Sequence, residues 1–249
     1  MREINLYLVR HGESEQNAHQ EQPKSEFPYC SLNPLTEVGR EQATRTGIAL
    51  RRHFQGVPAF LIPMFASPHL RTMQTAEIIR EEINKGRSSE NKITFLFADK
   101  RLLEQRWGML EPYYHQDFPI AKKLYDAYKG LWNDAASHMN GPLLPIDLGN
   151  DEDEVRRIAQ EVGLQESEIR GESGRDVIKR LNSFLTAHQE ELITAGMNMI
   201  IVTSRAPILM SRVALGIEQP DNLASRIRKR EIVVPNASVT RYTRDLEPR

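Results

Sequence analysis

The sequence predicts an α/β fold, a three-layer sandwich with a mostly parallel central sheet and helices on both of its faces. Short apolar segments alternate along the chain with longer segments in which apolar residues recur at helical spacing. Polar clusters follow several of the short segments directly. Strands separated by helices pair in parallel through right-handed crossovers, which places the helices on both faces of the sheet.

The first part of the chain predicts a strand followed by a helix. Residues 4–9 form an apolar run of strand length, and Arg10 ends it. The next regular segment, residues 35–54, predicts a helix with Thr36 as its N-cap. The apolar face of this helix consists of Ala43, Gly47, Leu50 and Phe54.

A second strand, a second helix and a third strand follow. Residues 59–66 predict the strand, although Pro63 has no N–H to donate within a sheet. Ser67 is the expected N-cap of the helix, with Pro68 at the first helical position. The buried stripe of this helix consists of Thr72, Ala76, Ile79 and Ile83. Residues 93–98 predict the third strand.

The second half of the chain predicts three further helices and two further strands. The helices cover residues 150–162, 173–193 and 205–215, and the strands cover residues 197–203 and 237–243. The segment from residue 105 to residue 171 shows no clear strand pattern. We interpret it as a mainly helical insertion in a single α/β domain that covers residues 1–249.

Composition and charge exclude several classes of function. Lys and Arg number 33 and Asp and Glu number 34, so the net charge of −1 gives no sign of a nucleic-acid or membrane partner. Cys30 is the only cysteine, which excludes an intrachain disulfide. No apolar run has the length of a signal peptide or a membrane span. These features predict a cytoplasmic protein; they do not specify its oligomeric state.

Three polar clusters fall at the carboxyl ends of predicted strands, where open α/β sheets bind ligands. The clusters are Arg10-His11-Gly12, residues 67–71, and Thr203-Ser204-Arg205. Because carboxyl ends of parallel strands meet at one edge of a sheet, we expect these side chains to lie close together. Their coincidence is more informative than any one of the clusters alone.

The residue types at this edge suit phosphoryl transfer. An imidazole is a nucleophile toward phosphorus when one ring nitrogen is free and the other donates its proton to a fixed acceptor. A turn at Gly12 would offer His11 a backbone carbonyl as that acceptor. Arg10 would bind phosphate, and so would Arg71 in the first turn of a helix. Glu104, shortly after the third strand, would protonate a leaving alkoxide.

Six segments resemble the histidine phosphatase superfamily, the phosphoglycerate-mutase-like group, in the same order along the chain. They are VRHGESEQN, LTEVGREQA, SPHLRTMQTA, LLEQRWG, GESGRDVIKRL and VPNASVT. The resemblance covers nearly the whole chain except the insertion. It implies that His11 is the phosphorylated nucleophile and that Asn17 is a polar pocket contact. It also implies that Arg10 and Arg71 bind phosphate, that Glu104 is the proton donor, and that no metal or other cofactor takes part.

One position departs from the family pattern. Members usually carry a second histidine after the late strand, within a pattern similar to Val-Ser-His-Gly, where this chain has VTSRAPI. Ser204 occupies the matching position, and serine is a shorter, uncharged and weaker donor toward a phosphate dianion. Arg205 would partly replace the lost charge if its side chain turned into the pocket. Alternatively, Ser204 is a plain strand-end residue without a catalytic part.

Each of the other candidates also has a purely structural interpretation. His11 would then cap a strand end, and Asn17 would cap a turn or a short helix. Arg71 would be an exposed helix arginine, and Glu104 a solvated carboxylate. The ordered series of motifs favours the functional interpretation for His11, Arg71 and Glu104, whereas the two interpretations of Asn17 are balanced.

Three functions fit the sequence. The leading hypothesis is a phosphomonoesterase that acts on a small phosphorylated molecule through a phosphohistidine at His11, with an activity lowered by Ser204. The second is a catalytically degenerate family member that binds phosphorylated ligands or a protein partner without turnover. The third is a mutase of the phosphoglycerate type, which we rank lower because it must retain the phosphoryl group with a full set of contacts.

Overall fold

The computed structural model describes residues 2–18, 32–105, 160, 172, 174–189, 198–229 and 231–246. The insertion predicted over residues 105–171 and the helix predicted over residues 150–162 lie almost wholly outside this part of the chain. The organisation as a single domain with one insertion therefore stays a prediction.

Within the described residues, five strands form one mixed sheet in the order β3-β2-β4-β1-β5. They are β1 (Arg2–Arg10), β2 (Met64–Ala66), β3 (Leu96–Ala98), β4 (Asn198–Thr203) and β5 (Val239–Leu246). Strands β1 to β4 run parallel to one another, and β5 pairs antiparallel with β1. Arg10 lies opposite Thr203, and Ala66 lies opposite Val202, so the ends of β1, β2 and β4 align at one edge.

Helices cover both faces of the sheet, as the sequence predicts. In the described part of the chain they are α1 (Glu15–Ala18), α2 (Glu37–His53), α3 (Leu70–Asn84), α4 (Gly174–Ala187), α5 (Arg205–Ala214) and α6 (Pro220–Arg228). Short 3-10 turns occur at Ala59–Leu61, Ser89–Asn91 and Lys100–Leu102. None of the described helices combines the length and the apolar character that crossing a membrane requires.

Alternate residues of β1 pack into two separate hydrophobic cores, because successive side chains of a strand point to opposite faces of the sheet. Tyr7 and Val9 pack with side chains of α2 and α3. Leu6 and Leu8 pack with side chains of α4, α5 and α6. This arrangement confirms the predicted three-layer α/β sandwich.

The predictions for α2 and α3 are confirmed where they depend on apolar periodicity. Thr36 caps α2, since its Oγ1 accepts a hydrogen bond from the N–H of Gly39 at 3.0 Å. The predicted faces of α2 and α3 are buried. The helices predicted over residues 173–193 and 205–215 are present as α4 and α5, whereas α1 and α6 were not predicted.

The prediction of a continuous strand over residues 59–66 was wrong. The strand covers only Met64–Ala66, and Ala59–Leu61 forms a 3-10 turn. The N–H of Ala59 donates to Oδ1 of Asn91 at 2.7 Å instead of joining the sheet. The third strand is also shorter than the predicted residues 93–98, because the N–H of Ile93 donates to Oδ1 of Asn84.

The start of α3 also differs from the prediction. The helix begins at Leu70 with His69 as its N-cap residue, so Pro68 precedes the helix. Ser67 is not the cap, because its hydroxyl bonds to the hydroxyl of Thr72 at 2.8 Å. A local side-chain bond therefore outweighs the capping preference of serine.

Candidate active site

His11 follows β1, and both of its ring nitrogens have partners. Nδ1 lies 2.7 Å from the carbonyl oxygen of Gly12 and, since a carbonyl only accepts, donates its proton to it. Nε2 accepts a hydrogen bond from Nε of Arg71 at 3.2 Å. The backbone N–H of His11 donates to the carbonyl of Thr203 at 2.9 Å. The residue is buried, so the ring has one fixed orientation with its lone pair on Nε2.

Burial lowers the pKa of His11 well below its usual value, and the positive charge of Arg71 acts in the same direction. The hydrogen bond to Gly12 raises the pKa but does not offset these effects. The imidazole is therefore neutral at neutral pH. A neutral ring with its lone pair on Nε2 is the form that attacks phosphorus, once the hydrogen bond from Arg71 is released.

The turn at Gly12 is built without space for a side chain. A Cβ atom at Gly12 would lie 2.3 Å from the carbonyl oxygen of Gly39 in α2. The N–H of Gly12 donates to Oγ1 of Thr75 in α3 at 3.1 Å. The carbonyl that orients His11 is thus fixed between two helices.

Arg71 and Arg10 bring two positive charges to this edge of the sheet. Arg71 is buried in the first turn of α3. Arg10 donates from Nη1 to the carbonyl of Val234 at 2.6 Å. Burial lowers the pKa of Arg10 and the charge of Glu104 raises it, so Glu104 lies within electrostatic reach of Arg10. An arginine retains its charge under such shifts.

Glu104 lies against the N-terminus of α5. Its Oε1 accepts hydrogen bonds from the N–H of Gln105 at 2.9 Å and from the N–H of Ala206 at 3.2 Å. Because Ala206 belongs to the first turn of α5, the carboxylate caps that helix from outside. The same helix end follows Ser204, so Glu104 and the strand end of β4 are brought together.

Ser204 is the N-cap residue of α5, yet its side chain does not cap the helix. The residue is fully buried, and its Oγ has no hydrogen-bond partner among the described residues. Arg205 is exposed at the first position of α5, although its charge still lowers the pKa of Arg10. The roles in phosphate binding predicted for Ser204 and Arg205 therefore stay predictions.

Asn17 lies in α1 and contacts Ser14. The N–H of Ser14 donates to Oδ1 of Asn17 at 3.4 Å, and the N–H of Asn17 donates to Oγ of Ser14 at 3.4 Å. This reciprocal pattern resembles a capping box and fits the alternative interpretation of Asn17 as a cap. The predicted contact with a substrate remains a prediction.

Buried polar atoms without a partner concentrate at the same edge. Among the described residues, such side-chain atoms belong to Arg10, His69, Gln105, Ser204, Asn236 and Ser238. The first four residues stand at or follow the carboxyl ends of parallel strands, and the last two lead into the antiparallel β5. Buried polar atoms normally have hydrogen-bond partners, so this concentration is typical of a ligand site.

The chain also matches a protein-family model. The model of the histidine phosphatase superfamily (branch 1) matches residues 6–157, which is more than half of the chain. The chain belongs to the histidine phosphatase superfamily. No curated protein matches it.

Solved structures similar to this superfamily member include two phosphatases and a mutase. A mycobacterial glucosyl-3-phosphoglycerate phosphatase matches with a TM-score of 0.61 and 18% identity, over 97% of this chain and 91% of that one. Phosphoglycerate mutase from Bacillus anthracis matches with a TM-score of 0.59 and 20% identity, over 98% of this chain and 88% of that one. Phosphoserine phosphatase from Entamoeba histolytica matches with a TM-score of 0.53 and 17% identity, over 95% of this chain and 89% of that one. At these identities the similarity establishes the fold alone.

Sequence reasoning missed Arg180 of α4, which supports the segment that carries Glu104. Arg180 donates to the carbonyls of Arg101 at 2.7 Å and Glu104 at 3.1 Å. It also pairs with both carboxylate oxygens of Glu172 at 3.0 Å. Both charged residues belong to the segment GESGRDVIKRL, one of those that resemble the superfamily, but their roles depend on contacts distant in sequence.

Sequence reasoning also missed His69, whose only signal was a histidine beside Pro68 in the second polar cluster. In the described part of the chain, no group of three or more His, Cys, Asp or Glu is arranged to hold a metal ion. The expectation that this superfamily member needs no metal and no other cofactor stays a prediction.

Proposed function

We propose that this protein is a phosphomonoesterase that acts on a small phosphorylated molecule through a phosphohistidine at His11. The observation that carries the proposal is the neutral, buried imidazole of His11, which Gly12 holds at Nδ1 and which presents Nε2 beside Arg71. Membership of the histidine phosphatase superfamily supports phosphoryl chemistry at this residue. A cytoplasmic location remains part of the proposal.

In the first step, Nε2 of His11 attacks phosphorus, and the ester P–O bond breaks as the N–P bond forms. Because Arg71 donates to Nε2, its guanidinium must turn toward the phosphoryl oxygens before the attack. Arg71 and Arg10 then stabilise the charge on those oxygens. Glu104 would donate a proton to the leaving oxygen.

In the second step, water attacks the phosphorus of the phosphohistidine. The carboxylate of Glu104 takes the proton of that water as the N–P bond breaks, which releases phosphate and restores the neutral His11. The hydrogen bonds from Gln105 and Ala206 would hold Glu104 in place for both proton transfers. The cycle ends with every group in its starting form.

Binding of phosphorylated ligands without turnover is the second candidate function. It is favoured by one observation: Ser204, after β4, brings no charge to the site, and its hydroxyl has no partner among the described residues. The two arginines beside His11 would still bind a phosphate dianion. The two candidates therefore differ only in whether the bound ester is hydrolysed.

Hydrolysis of para-nitrophenyl phosphate over a range of pH separates the two candidates. We expect turnover by the wild type, loss of turnover in His11→Ala, and wild-type turnover in His53→Ala, which changes an exposed histidine at the end of α2. Absence of turnover in the wild type, with phosphate binding that is lost in Arg71→Gln, would replace the enzyme by the binding protein.

A further inference from the structure

His69 is a second imidazole at the carboxyl edge of the sheet, and the catalytic cycle described above does not use it. It is the N-cap residue of α3, between the end of β2 and Arg71. Its side chain does not cap the helix. A histidine at a helix N-terminus has no intrinsic advantage there, because Ser, Thr, Asp and Asn are the residues that cap well.

The backbone around His69 is fixed on both sides. Before it, the N–H of Ser67 donates to the carbonyl of Val202 in β4 at 3.0 Å, and Oγ1 of Thr72 donates to the carbonyl of Ser67 at 2.7 Å. After it, the carbonyl of His69 accepts from the N–H groups of Thr72 and Met73, each at 3.0 Å. His69 is therefore tied to the same strand, β4, that binds the backbone of His11.

The Nδ1 atom of His69 is buried and has no hydrogen-bond partner among the described residues. A buried imidazole nitrogen without a partner loses its hydration and gains nothing in return. Two other buried atoms of the same kind belong to the next strand ends in the sheet: Oγ of Ser204 after β4 and Nε of Arg10 at the end of β1. An oxygen-rich anion bound at this edge would offer acceptors to donors of this kind.

Two arginines act electrostatically on His69. Burial, together with the charges of Arg71 and Arg180, lowers the pKa of His69 to about 3. A positive charge on His69 would in turn lower the pKa of His11, so the two rings lie within electrostatic reach of each other. At neutral pH the ring of His69 is neutral, carries one N–H, and can donate it to an anion.

We propose that His69 is a second catalytic imidazole of this site, which donates a hydrogen bond from Nδ1 to an oxygen of the phosphoryl group bound between His11 and Arg71. The inference rests on the proposed phosphoryl transfer at His11. Ala66 at the end of β2 lies opposite Val202 in β4, so His69 and Ser204 follow neighbouring strand ends. After β2, His69 would thus supply an imidazole donor that Ser204 does not supply after β4.

Two substitutions distinguish a hydrogen-bond donor from a ring that fills space. His69→Phe keeps a ring and removes both nitrogens, whereas His69→Asn keeps an N–H donor near the position of Nδ1. His53→Phe, at the exposed end of α2, is the matched control. We expect His69→Phe to lower kcat for para-nitrophenyl phosphate by about 10²-fold and to weaken inhibition by orthovanadate. His69→Asn should keep most of the wild-type kcat and most of the inhibition by orthovanadate, and His53→Phe should match the wild type in both measurements.

Wild-type kcat and wild-type vanadate inhibition in His69→Phe would overturn the inference while leaving turnover at His11 intact. Equal losses in His69→Phe and His69→Asn would also overturn it, because they would indicate a packing role. Failure of the proposed function has a different signature, since the wild type would then show no turnover that depends on His11.

A spectroscopic readout covers the cases in which the wild type does not turn over or a variant does not fold. In ¹⁵N spectra of the wild-type histidines, Nδ1 of His69 should shift when orthovanadate is added. A spectrum in which His11 responds and His69 does not would contradict the inference. A spectrum in which neither residue responds would contradict both the inference and the proposed function.

Discussion

The ends of β1 and β4 lie side by side, with Arg10 opposite Thr203, but they hold their side chains in different ways. After β1, both ring nitrogens of His11 have partners within the described residues. After β4, Oγ of Ser204 has none, and Arg205 is exposed. The protein itself therefore fixes the imidazole of His11, whereas the neighbouring strand end leaves a buried hydroxyl without a partner among the described residues.

Removing Arg71 should break the organised half of the site most severely. Arg71→Gln takes away the buried guanidinium that faces His11 and would bind the phosphoryl oxygens. We expect kcat/KM for para-nitrophenyl phosphate to fall by about 10³-fold. Arg80→Gln is the matched control, because Arg80 lies farther along α3 and pairs with Glu77. A wild-type rate in Arg71→Gln would exclude Arg71 from the site.

Adding a methyl group at Gly12 should destabilise the protein by a steric clash at the turn that orients His11. Gly12→Ala would place Cβ 2.3 Å from the carbonyl oxygen of Gly39, a contact that only a shift of the backbone can relieve. We expect the free energy of unfolding, measured by urea denaturation, to fall by about 3 kcal/mol. Gly86→Ala meets no atom within 4 Å and has a φ of +80°, so it should lose only about 1 kcal/mol. Equal losses would show that the turn at Gly12 is not constrained.

Adding an imidazole after β4 should raise the activity instead of lowering it. Ser204→His would place an imidazole donor at the N-terminus of α5, and we expect kcat for para-nitrophenyl phosphate to rise by about 10²-fold. Arg205→His adds the same ring at the adjacent exposed position and should give no gain. A gain in Arg205→His alone would mean that Ser204 does not face the site.

Acid should reveal the buried neutral histidines through stability. The pKa of His11 and that of His69 are both lowered by burial, whereas an unfolded chain binds protons at both residues below about pH 6.5. The unfolded state therefore binds more protons, and the free energy of unfolding decreases as the pH falls below 6.5 toward the folded pKa values. Relative to the wild type, His69→Phe should lower this slope by about 1.4 kcal/mol per pH unit in urea denaturation between about pH 5.5 and pH 4.

The sign of the change in slope tests whether folding lowers the pKa of His69. Carboxylates titrate over part of the same range in both proteins, so the difference between the two slopes isolates His69. An unchanged slope in His69→Phe would mean that His69 is protonated in the folded protein as readily as in the unfolded chain. A steeper slope would place its folded pKa above the unfolded value.

The fold was largely predictable from the sequence because its helices and inner strands depend on apolar periodicity. The strand at residues 4–9 and the α2 helix capped by Thr36 illustrate this. The errors fall where one specific hydrogen bond decides the structure. Ser67 bonds to Thr72 instead of capping α3, and Asn91 captures the N–H of Ala59. Such partners are not encoded in the local pattern.

The candidate site divides in the same way. The proximity of His11 and Arg71 was predictable, because each residue follows a strand whose carboxyl end lies at the same edge of the sheet. The roles of His11, Arg10 and Arg71 in phosphate chemistry stay predictions. The environment of His69 was not predictable, because a lone histidine near a proline says nothing about burial or about a missing hydrogen-bond partner. The bonds of Arg180 to the backbone of Glu104 were not predictable either, since they join segments far apart in the chain.

The most direct test of phosphoryl transfer at His11 is to identify the residue that carries the phosphoryl group during turnover. The wild type, mixed with a phosphate monoester and quenched in alkali, should yield a peptide phosphorylated at His11, and His11→Ala should yield none. Hydrolysis of the ester with the phosphoryl group on another residue, or without any modification of His11, would contradict the claim.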